Sequence, residues 1–160
     1  MMDMNLPNIP NREEKTRAFG ITMVMDKGLS LRQASDLVET GGHLIDYVKF
    51  GFGTALVTNN LKDKIQLYKD AHIEPYFGGT LYEVFKVRGM LDEFRKYLDK
   101  YNVNTAEVSD GSIVLDHDEK LKDISTLSRD RTVLSEVGSK KTDVIISPDQ
   151  WISMMKSELE

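Results

Sequence analysis

The pattern that most constrains this chain is a repeated unit: a short β-rich run, a cluster of glycine or small polar residues, then an amphipathic helix. Strands are expected over 20–26, 44–50, 73–77, 105–109 and 132–137. They are closed in turn by Lys27-Gly28, Gly51-Phe52-Gly53, Gly78-Gly79-Thr80, Asp110-Gly111-Ser112 and Gly138-Ser139. Helices are expected over 29–39, 61–71, 81–101, 118–128 and 149–159, the third broken near Arg88-Gly89. Leu31, Ala34, Leu37 and Val38 mark the apolar face of the first, with Ser30 as N-cap. Trp151, Ile152, Met155 and Leu159 mark one face of the last, where Trp151, Met154 and Met155 read as core packing. The unit recurs with a period of about 23 to 30 residues, which implies a parallel sheet with right-handed crossovers. Residues 1–17, with Pro7, Pro10 and three asparagines, read as an arm ahead of a domain over 18–160.

Pattern alone leaves two architectures open, a doubly wound five-stranded sheet and part of a (β/α)₈ barrel. The 160 residues suit the former, since a whole barrel needs at least about 200. No dinucleotide or Walker motif occurs, and Gly51-Phe52-Gly53 is a weak signal.

Composition removes several function classes. A net charge of -5 offers no positive field for nucleic acid or an anionic membrane. No apolar run is long enough to span a bilayer, and residues 1–17 lack the apolar core of a signal peptide. Without cysteine there is neither a disulfide scaffold nor a thiolate metal site. A cytoplasmic location is expected.

In α/β folds the carboxyl ends of the strands carry the chemistry. Here each strand end carries charge or a flexible loop. Strand parity puts Lys49 on a face with Ile45 and Tyr47, Glu107 with Ser109, and Glu136 with Thr132 and Leu134. Asp26, Glu107, Asp110 and Glu136 are hard oxygen ligands suited to Mg²⁺. Lys27, Lys49 and Lys140 suit carboxylate, phosphate or another oxyanion, and a lysine of lowered pKa can transfer a proton. Such a set fits chemistry through an enediolate beside a carboxylate. His43, His72 and His117 fall away from the strand ends and read as solvent-facing.

Five blocks carry a resemblance. They are Asp26-Lys27-Gly28-Leu29, Asp46 to Thr54, Gly78 to Glu83, Glu107 to Ser112 and Ser135 to Lys140. In order and spacing they resemble the phosphosulfolactate synthase family, which includes plant heat-stress-associated relatives. The resemblance implies a TIM (β/α)₈-type barrel, here about five of its eight βα units, with the chain truncated after the fifth. It implies Mg²⁺-dependent addition of sulfite to phosphoenolpyruvate, giving (2R)-phospho-3-sulfolactate on a route to coenzyme M. Lys140 would be the proton donor. Glu107 and Glu136, with Asp26 and Asp110, would hold the metal, and Arg17, Lys27 and Lys49 would hold anionic oxygens. Lys15-Thr16-Arg17 departs from the family's usual Lys-Pro-Arg, and Phe52 stands where tryptophan is frequent. The open sheet edges of a partial barrel imply a homo-oligomer. Two other functions fit the same scaffold: a non-catalytic stress-associated protein, and a lyase or isomerase for another phosphorylated carboxylate.

Overall fold

A computed structural model describes residues 7–10, 12–139 and 144–160. Five short strands, β1 (Met23–Asp26), β2 (Tyr47–Phe50), β3 (Glu74–Phe77), β4 (Thr105–Val108) and β5 (Thr132–Ser135), form one sheet in the order β1-β2-β3-β4-β5. Every pairing is parallel. Among the described residues six helices accompany them, one after each strand except β3, which two follow: α1 (Leu31–Gly41), α2 (Leu61–Asp70), α3 (Gly79–Lys86), α4 (Leu91–Lys100), α5 (His117–Leu127) and α6 (Pro148–Leu159). This is the α/β arrangement of a partial TIM-type barrel. The expected helix over 81–101 is two helices, because Gly89 takes a φ of 66° that ends α3.

The strands are shorter than the β-rich runs. Residues 42–44 form a 3₁₀ turn before β2, and Gly51–Leu56 form another after it. Helix starts follow local chemistry. The Ser30 and Ser147 hydroxyls accept from the amides of Gln33 and Gln150, whose side chains return the bond in full capping boxes. Asp116 caps α5 through the amides of Asp118 and Glu119. Each such cap stabilises by about 1 kcal/mol.

Side-chain alternation gives the sheet two unlike faces. Val48, Phe50, Phe77, Ala106 and Val108 point to the helices and are buried with Tyr68, Phe94, Leu98 and Leu127. Aromatic rings fill much of this layer, with Phe50 edge-on to Tyr68 and Phe77 beside Tyr97 at 5.3 Å. The other face carries Met25, Lys49, Tyr76 and Thr105 in one row of paired positions.

The last helix departs from expectation. No residue of α6 is buried, and Trp151 is 39% exposed rather than packed in a core. Its ring meets the backbone at Gly138, where an added Cβ would come within 2.9 Å of the indole.

Candidate active site

Lys49 leaves β2 on the inner face near its carboxyl end. Its Nζ lies 2.6 Å from Glu107 Oε1 of β4 and 3.6 Å from Glu136 Oε2, one residue beyond β5. Glu107 Oε1 also accepts from the amide of Gly79, the first residue of α3, at 2.7 Å. Tyr76, on β3, pairs with Lys49 in the ladder, and its hydroxyl feels the Glu107 carboxylate. Burial first, then this carboxylate, pushes the tyrosine hydroxyl well above its ordinary range, so it stays protonated as a donor. Three strands and the end of a fourth thus bring a lysine, two glutamates and a tyrosine together.

The Gly78-Gly79 pair makes room for this cluster. A Cβ on Gly78 would lie 2.9 Å from Lys49 Cγ and closer still to Cε. One on Gly79 would lie 2.7 Å from Ser109 Oγ and 2.8 Å from Glu107 Oε1. Gly78 has a φ of −78°, open to any residue, so space and not backbone freedom calls for glycine. Behind the cluster, Glu83 of α3 accepts from the Ser109 hydroxyl and the Ser112 amide, both at 3.0 Å. This ties down the loop after β4.

The remaining expected site residues lie elsewhere or have other partners. Asp26 has the parity of Val24 and faces the helices. Its Oδ2 is 2.6 Å from Lys64 Nζ and accepts from the Tyr68 hydroxyl, while Oδ1 accepts from the amides of Gly28 and Leu29. Arg17 is at the opposite, amino end of the sheet, bonded to Asp46 at 2.6 Å and to the carbonyls of His43 and Glu13. It closes the bottom of the sheet and is far in the fold from Lys49's end. Arg12 meets the same aspartate, and Lys15 bonds the carbonyls of Ala71 and His72 at the end of α2. A depression of about 310 Å³ beside them, lined in part by Lys69 and Glu74, belongs to this arm anchorage.

Asp110 pairs with the buried Lys120 at 3.2 Å. Lys120 also donates to the Glu136 carbonyl at 2.7 Å and meets Glu158 of α6 at 2.9 Å. Lys27 is exposed at the carboxyl end, its Nζ 5.5 Å from the centre of the Phe52 ring. Lys140 lies outside the described residues. His43 and His72 are exposed, whereas His117 packs toward α6, its Nε2 2.8 Å from Ser157 Oγ.

The four carboxylates expected to hold Mg²⁺ do not fit that task as placed. Asp26 is held by Lys64, Asp110 by Lys120, and Glu107 and Glu136 by Lys49. Among the described residues no group of three His, Cys, Asp or Glu side chains is set to hold an ion.

Sequence reasoning missed Tyr76, and it gave Glu83 and Ser109 no role although both fall within the matching blocks. Tyr76 shares parity with Glu74, and that signal was present. Glu83 sits on a helix, where nothing in its spacing sets it apart from a solvated residue.

A parallel α/β sheet whose inner face gathers ionisable side chains at the carboxyl ends of its strands defines the working end of a (β/α) barrel. The comparisons with known proteins name which one. The chain belongs to the (2R)-phospho-3-sulfolactate synthase (ComA) family, whose sequence model matches residues 10–160. It is 34% identical over 155 residues to the phosphosulfolactate synthase of Methanothermobacter thermautotrophicus, covering 94% of this chain and 60% of that protein. It is 33% identical over 162 residues to that of Bacillus subtilis, covering 100% and 64%. With that of Methanocaldococcus jannaschii it shares 40% over 128 residues, covering 78% and 51%. The chain therefore spans 51% to 64% of the length of these relatives. Among the described residues, no helix is long and apolar enough to cross a membrane.

Proposed function

We propose that the whole protein is a lyase that joins sulfite to phosphoenolpyruvate, forming (2R)-phospho-3-sulfolactate. The observation that carries the reading is the family match over residues 10–160, which spans every strand end of this chain. Sulfite sulfur attacks the terminal alkene carbon, forming the C–S bond. The alkene electron pair moves into the substrate carboxylate as an aci-carboxylate. A lysine ammonium then returns a proton to the adjacent carbon and is left neutral, to be reprotonated from solvent. The family motif assigns that proton to Lys140.

The described residues support the surrounding roles. Lys27 stands exposed at the carboxyl end as a free-reaching cation for an anionic oxygen. Lys49, its ammonium fixed by Glu107 at 2.6 Å, is the cation proposed to meet a second anionic oxygen. The cytoplasm is the proposed location and a homo-oligomer the proposed assembly.

The test uses the chain alone and the chain fused to the remaining C-terminal part of the M. thermautotrophicus relative. Each is incubated with sulfite and phosphoenolpyruvate, and phosphosulfolactate is read by mass spectrometry. Product from either supports the reading. Absence from both, with the relative active in parallel, rejects it.

A further inference from the structure

Lys49 does more than lie near two carboxylates, for its place is built. Its Nζ stands 2.6 Å from Glu107 and 3.6 Å from Glu136. Its stem runs over Gly78, where any Cβ would collide with it. The receiving oxygen, Glu107 Oε1, is fixed from another side by the Gly79 amide at 2.7 Å.

We propose that the Lys49 ammonium is the resident cation of the cleft between Glu107 and Glu136, and that it excludes a divalent ion from that cleft. A magnesium ion takes carboxylate oxygens at about 2.0–2.1 Å in a near-octahedral shell. Glu107 Oε1 already accepts from Nζ and from an amide, and Nζ stands where the shell would form. Two cations sharing one oxygen in a half-buried cleft repel each other strongly. Lysine and metal ion are therefore alternative occupants. Unlike an ion, this positive charge cannot be removed by a chelator, and it offers an N–H donor to an anionic oxygen.

Mn²⁺ serves as the probe, its free concentration read by electron paramagnetic resonance during titration of the 160-residue protein. Lys49→Met should bind Mn²⁺ at least about tenfold more tightly than the wild type. The gain should vanish in Lys49→Met/Glu107→Gln. Glu107→Gln alone should bind Mn²⁺ as the wild type does. Wild-type binding as tight as that of Lys49→Met overturns the proposal, and so does a gain that survives the double substitution. If circular dichroism shows Lys49→Met unfolded, the wild type and Glu107→Gln decide between them: equal affinity upholds the proposal, and weakened binding in Glu107→Gln overturns it.

Discussion

Lys64 and Asp26 meet at 2.6 Å with side chains almost wholly withdrawn from water. The pair works as a lock on the first βα turn. Asp26 gathers the amides of Gly28 and Leu29, and Lys64 closes the loop by donating to the Leu29 carbonyl at 2.7 Å. Lys64→Met leaves a buried carboxylate without its cation and should cost about 3–5 kcal/mol. Urea unfolding followed by circular dichroism checks this, and a loss under about 1 kcal/mol would place water or another donor at Asp26. Gly79→Ala gives a second test with an unusual sign. In a solvated helix position, alanine would stabilise by about 1 kcal/mol over glycine. Here its Cβ would come within 2.7 Å of Ser109 Oγ, and overpacking of this kind costs about 1–3 kcal/mol. The variant should melt lower than wild type, and Ser109→Gly in the same chain should restore part of the loss. A higher melting temperature for Gly79→Ala would show that Ser109 moves aside freely.

At the scale of elements, the arm and the sheet are joined through Asp46, just ahead of β2. Burial alone would raise its pKa. The Thr22 amide and the guanidinium groups of Arg17 and Arg12 more than offset this and hold the carboxyl below its ordinary value of 3.8. A folded-state pKa below the unfolded one adds stability that is fully present above the unfolded value. It is lost as pH falls through the folded value. The stability gap between wild type and Asp46→Asn should therefore be constant above about pH 5 and shrink below pH 4. Unfolding curves taken from pH 2 to 6 measure it, and a gap that widens on acidification would reverse the argument. This junction also shows where the sequence was legible. The alternation of runs and helices was plain, because each period is repeated five times and punctuated by glycine. Strand ends were not, since residues 20–22 and 44–46 continue the β-rich runs yet only the later part of each run enters the ladder. Arg17 was placed with the substrate by resemblance, but nothing in its spacing showed which end of the sheet it reaches. Asp26 was misplaced because Met23-Val24-Met25 is apolar on both parities and marks no face. Nothing in the sequence sets Lys64 and Lys120 apart from other helix lysines, and only packing shows them buried.

At the scale of the whole molecule, the helical layer is unevenly secured. α2, α4 and α5 each bury apolar residues against the sheet, whereas α6 buries no apolar residue. Ile152, Met155 and Leu159 are 51%, 50% and 85% exposed, so little hydrophobic burial holds this helix. Its attachment is polar and passes through Ser157, whose Oγ lies 2.8 Å from His117 Nε2, and chiefly through Glu158. One oxygen takes the Ser135 hydroxyl of β5. The other meets Lys120 at 2.9 Å as an ion pair without the directional geometry of a hydrogen bond. Both side chains are buried, which gives the contact more weight than a surface pair. Lys120 in turn reaches Asp110 and the Glu136 carbonyl, so the anchor of α6 and the end of β5 share one ammonium. Glu158→Ala should free α6 while leaving Lys120 with its other two acceptors. Amide hydrogen exchange over 148–159 should then accelerate by about tenfold or more, while α2 and α4 keep their protection, because opening of a weakly packed element does not require global unfolding. Slow exchange in α6 of that variant would show that Trp151 against Gly138 and the apolar contacts of Met155 hold the helix without the ion pair. Equal acceleration in α2 and α4 would show that Lys120 and Glu158 support the sheet as a whole.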